Sequence, residues 1–264
     1  MTAHAVVDGD HGQPGPARAR LLVVVAVAAE AEAVLRGLPG GSAAVPLPGG
    51  TLQRALGAPV DVLAAGVGPA AAAAATSAAL AAHPYALAVS AGIAGGFAPH
   101  APVGATVVAD AVVAADLGAE TPEGFADVTE LGFGTVRHTP PPAAVALVAQ
   151  ALAGAVTGPV LTVSTVTGSA ERAAVLAARH PGAAAEAMEG FGVAEAAARH
   201  GVPALELRTV SNPVGPRDRA AWRIGEALAA LERAFAALPV HELAALRVPD
   251  PASPHEPIKE AGRG

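Results

Sequence analysis

Between residues 20 and 240, short runs of branched apolar residues interleave with longer stretches built on alanine, and this alternation leaves few folds open. Strands are predicted at Leu21–Val27, Val60–Ala65, Tyr85–Ser90, Thr106–Ala115, Val160–Thr165 and Ala204–Val210. Helices are predicted at Glu30–Arg36, Pro69–Ala82, Pro142–Ala153, Ala170–Arg179, Glu189–His200 and Ala220–Ala237. Pro69 suits a first helical turn, where its missing N–H costs nothing. Continuous apolar strands separated by helices indicate a sheet covered on both faces. The expected fold is α/β, a three-layer α/β/α sandwich around a mixed, largely parallel twisted sheet.

Composition narrows the function classes. The chain has 264 residues, 52% hydrophobic and 15% charged, enough for one sizeable core. A single domain is expected over residues 20–246, flanked by disordered tails at 1–19 and 247–264, both polar and aperiodic. The net charge of −7 comes with no basic block, which argues against a nucleic-acid partner. Cysteine is absent, so disulfides and thiol catalysis are excluded. The nine histidines are scattered without zinc-ligand spacing, and neither a metal nor a cofactor is expected. "RARLLVVVAVAAEAEA" superficially resembles a signal peptide, but its apolar run is short and acids follow at once. A strand entering a helix fits better. No stretch reaches the roughly 20 apolar residues of a bilayer span, so a cytoplasmic protein without a membrane partner is expected.

Polar residues gather where the strands end. Glu30 and Glu32 follow the first strand, Met188 and Glu189 open a helix, and Ser211 and Asn212 close the last strand before Pro213, Gly215 and Pro216. Taken singly, each has a bland account in helix-terminal charge or turn chemistry. Together they lie at one rim of the sheet, where open α/β sheets bind ligands. Gly66-Val67-Gly68 followed by Ala71 matches a dinucleotide turn, but the next strand ends without the acid that holds a ribose. "SAGIAGGF" is a second glycine turn by sequence, able to bring backbone close to a ligand. Residues 116–139, "DLGAETPEGFADVTELGFGTVRHT", have no period and form a long loop or lid.

Four motifs, "AAEAEAV", "AGIAGGF", "EAMEGFGVA" and "RTVSNPVGPRDRAAW", together resemble the nucleoside phosphorylase/nucleosidase superfamily over residues 21–237. Within it the chain is most similar to the futalosine hydrolases of menaquinone biosynthesis, relatives of the methylthioadenosine/adenosylhomocysteine nucleosidases. The resemblance implies a nucleoside substrate and hydrolysis of its N-glycosidic bond. It assigns Glu32 to water activation, Met188 and Glu189 to the ribose, and Ser211 and Asn212 to the purine. Ile93, Ala94 and Gly95 become contacts along sugar and base. A homo-oligomer, a dimer or larger, is the superfamily expectation. Two departures from the adenine nucleosidases stand out. The acid expected just before the Met is Ala187, with Glu186 the nearest, and the purine-reading acid is Asn212.

These letters carry chemistry. Breaking the glycosidic bond builds positive charge on the ribose, which a carboxylate on the sugar hydroxyls favours. An Asn amide can donate to O6 of a 6-oxopurine and accept from N7–H, pairing with hypoxanthine. Asn is no general acid, so the leaving base takes its proton from water or from a neighbour such as Asp218. The benzoate arm of futalosine needs a cation, with Arg217, Arg223 and His138 as candidates, and Phe125 is expected to wall that pocket. Two carboxylates beside a phosphate would repel it, which favours hydrolysis over phosphorolysis, with Arg36 the one cation nearby. The alternatives are another purine nucleosidase, a phosphate-dependent phosphorylase, or a nucleoside-binding module without catalysis.

Overall fold

The computed structural model describes residues 19–246. The two expected tails lie outside this range apart from Ala19. In chain order the elements are β1 (Leu21–Val25), α1 (Ala28–Gly37), β2 (Ser42–Leu47), β3 (Gly50–Ala55), β4 (Val60–Ala64) and α2 (Pro69–Ala82). Then follow β5 (Leu87–Gly96), β6 (Thr106–Ala114), β7 (Gly118–Thr121), β8 (Gly124–Asp127), β9 (Arg137–His138) and α3 (Pro142–Ala151). The remainder comprises β10 (Val156–Thr162), α4 (Ala170–Arg179), β11 (Ala185–Ala187), α5 (Gly190–Arg199), β12 (Ala204–Pro213), a 3-10 turn (Arg219–Ala221), α6 (Ile224–Ala237) and α7 (Val240–Ala245).

The central sheet is mixed and is built from two parallel blocks. One runs β4-β1-β5-β12 and the other β6-β10-β11. They meet antiparallel at β12/β6, and β11 pairs antiparallel with the far end of β5 at Gly95 and Gly96. Strands β5, β12, β6, β10 and β11 therefore close into a ring, while β1, β4, β3 and β2 extend the sheet as an open wing.

Side chains alternate across β1, and each set finds its own helix layer. Leu21, Val23 and Val25 share a core with Val34 of α1, Leu231 and Phe235 of α6, and Leu243 of α7. Leu22 and Val24 share another with Ala72 and Ala79 of α2 and Val193 and Ala197 of α5. Both faces are thereby covered, as the unbroken apolar run requires. Small residues let the layers approach closely. At Gly37, for instance, a β-carbon would strike the Glu232 carbonyl of α6.

The structure redraws three parts of the sequence reading. "SAGIAGG" is not a turn but the second half of β5, held extended by β12 and β11 despite its glycines. Residues 116–139 contain the two-stranded β7/β8 hairpin and β9, which pairs with β6, in place of a structureless loop. The β2/β3 hairpin at the open edge is an addition. Among the described residues no helix is long and apolar enough to cross a membrane.

Candidate active site

The carboxyl ends of β1, β5 and β12 and the β11–α5 junction surround a cleft of about 440 Å³. Met188, Glu189, Ile93, Ala94, Gly95, Ser211 and Asn212 all line it, so the structure brings together most of the residues singled out by sequence. Ala26, Val27, Val67, Val166 and Val214 add apolar wall.

Glu30 supplies the acid on the β1 side. It sits in the first turn of α1 and is 3% exposed. Its Oε2 accepts from the backbone N–H of Ala26 (2.9 Å) and Val27 (3.2 Å), a reach-back typical of the third helical residue. Its Oε1 accepts from Ile93 N–H at 2.9 Å, which ties α1 to β5. Gly92, at φ +147°, makes room for it: any side chain there would collide with the Glu30 carboxylate and crowd Arg208. The expectation that Glu32 faces the sugar is corrected here. Glu32 lies on the exposed side of α1 and does not line the cleft. Two residues on, a helix has turned about 200°, so only one of the two acids can face inward.

Glu189 faces the cleft from the start of α5, and it does not cap that helix. The Phe191 N–H, in the first turn, is bound instead by Thr162 Oγ1 at 2.8 Å. The Glu189 carboxylate is thus left for other partners. Gly68 N–H donates to Oε1 at 3.2 Å, which gives the Gly66-Val67-Gly68 turn its purpose. Both glycines have positive φ, the conformation that turns this N–H toward the acid.

Beneath these groups lies a buried ion cluster that sequence reasoning missed. Arg208, on β12, is completely buried. It donates to Glu206 through Nε at 2.8 Å and to Ser90 Oγ through Nη2 at 2.9 Å, and its Nη1 stands 3.4 Å from Glu189 Oε2. Burial disfavours the guanidinium charge, but Glu206, Glu189 and Glu30 outweigh that and raise its pKa. Burial raises the pKa of Glu206, against the pull of Arg208. A β-carbon at Gly190 would overlap the Glu206 carboxylate, so this glycine opens α5 over the cluster. The available signal was a Glu and an Arg at i and i+2, on one face of an otherwise apolar strand.

On the base side, a bulge in β12 between Val210 and Asn212 brings Asn212 level with Gly95 of β5. Asn212 Oδ1 lies 2.8 Å from the Ser211 hydroxyl, which is also 3.3 Å from the Ala94 carbonyl. Asn212 Nδ2 donates to the Pro213 carbonyl at 3.0 Å and, together with the Val214 side chain, covers the face of Gly95. Opposite, Glu186 of β11 accepts from Thr167 N–H at 2.9 Å and from its hydroxyl at 2.5 Å.

The expected side-arm contacts do not reach the cleft. Phe125 on β8 lies under the Arg179 guanidinium, 4.0 Å from the ring centre. Arg217 stands 5.5 Å from the centre of the Trp222 ring, outside the lining. His138 pairs with Glu195 at 2.9 Å and Arg223 with Glu226 at 3.1 Å. Asp218 caps the 3-10 turn through Ala220 N–H. Arg36 is held by Glu232 at 2.8 Å. The residues that do line the mouth are Arg219 and Trp222, two and five positions beyond Arg217. Among the described residues, no group of three or more His, Asp or Glu is arranged to hold a metal ion.

The phosphorylase superfamily profile matches residues 20–245. A futalosine hydrolase of Streptomyces coelicolor is 66% identical over 212 residues, covering 78% of this chain and 89% of the relative. The chain belongs to the futalosine hydrolase family. A more distant member from Thermus thermophilus is 37% identical and spans 71% of this chain and 84% of its own. Among solved structures, a Helicobacter pylori MTAN mutant with 5'-methylthioadenosine in its active site superposes with a TM-score of 0.72 at 19% identity, covering 82% of this chain and 96% of that one. The 5'-methylthioadenosine/S-adenosylhomocysteine nucleosidase of Neisseria meningitidis gives 0.71 at 19% identity, over 86% and 99%. At this identity these two establish the fold, and the family assignment rests on the futalosine hydrolases.

Proposed function

We propose that this chain hydrolyses the N-glycosidic bond of futalosine, releasing hypoxanthine and leaving dehypoxanthinylfutalosine, the step that the family contributes to menaquinone biosynthesis. The observation that carries the mechanism is the placement of two buried carboxylates, Glu30 and Glu189, on one cleft with an amide, Asn212, at its base end. Glu189 holds the ribose hydroxyls and favours the positive charge that develops on the ring, with Met188 against the sugar. Glu30 takes the role assigned to Glu32 by sequence. It accepts a proton from water as the oxygen attacks the anomeric carbon, a general-base contribution of about 10²–10⁴ in rate. The electron pair of the broken C–N bond leaves with the purine, which takes up a proton, so the elements of water are divided between sugar and base. Asn212 pairs with O6 and N7–H of that base.

Hydrolysis is favoured over phosphorolysis by the surroundings of Arg208. That guanidinium is completely buried, paired with Glu206 and facing Glu189, and does not line the cleft, so it is out of reach of an incoming phosphate. Arg219 and Trp222 at the mouth suit an aromatic carboxylate, the Arg as donor and the indole as stacking surface. A homo-oligomer belongs to this reading, since Val67 and Val166 line the cleft yet are 58% and 38% exposed, a rim suited to a second copy.

The test is hypoxanthine release from futalosine, inosine and methylthioadenosine, each with and without phosphate. Phosphate-independent release from futalosine is expected. Dependence on phosphate, or activity confined to the adenine nucleoside, overturns the proposal.

A further inference from the structure

Gly95 has two partners in the sheet at the same level: Asn212 on β12 and Glu186 on β11. Residues paired across neighbouring strands project to the same face, so the amide and the carboxyl stand on either side of a position with no side chain. Two strand spacings put their α-carbons about 10 Å apart. The Val214 side chain packs over Gly95, its Cγ2 3.0 Å from where a β-carbon would stand, so a planar base with a hydrogen bond at each end lies against Val214. Glu186 and Thr167 both line the cleft, and both are buried.

The proposed function uses only the Asn212 end of this slot, and the inference rests on that reading. We infer that Glu186 is a second specificity-determining residue, accepting a hydrogen bond from N1–H of the hypoxanthine ring. The Thr167 backbone N–H is fixed in the wall and, left bare, would face an incoming base as a donor. A donor there matches N1 of adenine, which is an acceptor, and opposes N1 of hypoxanthine, which carries a proton. Glu186 caps that N–H through Oε1, while the Thr167 hydroxyl holds Oε2. Each carboxylate oxygen keeps a lone pair. The wall is thereby converted from donor to acceptor. Both ends of the slot then select a 6-oxopurine.

Only the ionised form of Glu186 serves, which gives the inference a readout in pH. Burial raises the carboxyl pKa above the ordinary value, opposed by the two Thr167 hydrogen bonds and by Arg172 of α4, while Asp116 after β6 raises it further. Glu30, Glu189 and Arg219 line the same cleft. Activity on a hypoxanthine nucleoside should fall as pH drops through the Glu186 pKa.

The experiment compares wild type and Glu186→Gln in the full chain on futalosine and on the same nucleoside with adenine in place of hypoxanthine. Glutamine keeps the shape and can still accept from Thr167 N–H, but turns an N–H₂ toward the base. The expected result is a fall in kcat/KM on futalosine of roughly 10²-fold, with the adenine counterpart unchanged or improved. The part of the acidic limb that Glu186 contributes to the futalosine profile should be lost as well. Equal losses on both substrates, or no loss on either, overturn the inference. They leave the proposed function standing, because that is judged on the wild type alone. If Glu186→Gln does not fold, Thr167→Val serves. Losing the hydroxyl donor should move the acidic limb to higher pH, and an unmoved limb counts against Glu186.

Discussion

Two clusters of buried charge flank β1, one at each end, and they are built to opposite rules. At the amino end, Asp61 of β4 is completely buried and fully engaged. Arg20 meets it at 2.8 Å, Arg54 forms a two-pronged pair at 3.0 and 2.8 Å, and the Tyr85 hydroxyl donates at 2.9 Å. At the carboxyl end, Glu30, Glu189, Glu206 and Arg208 are buried as well, yet among the described residues Glu206 Oε2 and Arg208 Nη1 have no hydrogen-bond partner and two of the acids open onto a cleft. Buried charge with every valence filled fastens the sheet. Buried charge with valences to spare is a site prepared for something else, at a cost in stability.

The contrast can be broken most directly at Glu30. Glu30→Gln should lower kcat on futalosine by about 10²–10⁴, measured by hypoxanthine release. It should also lower Tm by a few degrees in a thermal melt, because the amide N–H₂ turns toward backbone N–H groups that the carboxylate accepts from. A variant that melts early but turns over normally would place Glu30 with the fasteners. Asn212→Asp should shift the kcat/KM ratio from the hypoxanthine toward the adenine nucleoside by about 10²-fold, and unchanged selectivity would remove the base-reading role.

Asp61→Asn is the mirror experiment. It should cost about 3–5 kcal/mol, on the order of 10 °C in Tm, with kcat of the folded enzyme unaltered. The pH dependence has a definite sign. Burial alone would raise the Asp61 pKa, but hydrogen bonds from Arg54, Tyr85 and Arg20 win and lower it. Its stabilisation is therefore complete above the unfolded aspartate value near ~3.9 and is lost as pH falls through the lower folded value. Asp61→Asn should lose that part of the acid-side pH dependence.

The cleft mouth gives smaller effects. Arg219→Ala should raise KM for futalosine about 10-fold and leave inosine, which lacks the carboxylate arm, unchanged. Glu32→Gln should leave every parameter within about twofold, because its side chain meets solvent.

What was legible in the sequence follows the same division. The sandwich could be read from periodicity, since apolar runs such as Leu21–Val25 can only be covered on both faces. The strand-end polar pairs marked the site. Glu32 rests on the resemblance alone, which does not tell apart two acids following β1; with α1 beginning at Ala28, Glu30 is its third residue and falls on the inner face. The β5 extension escaped notice because glycine disfavours strands locally, and only pairing with β12 and β11 holds it extended. Glu206 and Arg208 went unread for a different reason. Their partners, Ser90 and Glu189, are distant in sequence, and nothing local shows that two charges inside an apolar strand will be satisfied. Arg219 and Trp222 depended on the path of an irregular segment, which no periodicity describes.

The position of β12 also bears on how the protein is made. This strand, inserted between β5 and β6, is the last of the sheet to be synthesised and carries Arg208, Ser211 and Asn212. A nascent chain that has emerged only as far as α5 must hold β5 and β6 apart, or pair them wrongly, until residues 204–213 arrive. Ring closure and assembly of the cleft are then a single late event, and a product truncated before Ala204 lacks both the closing strand and the cleft residues it carries.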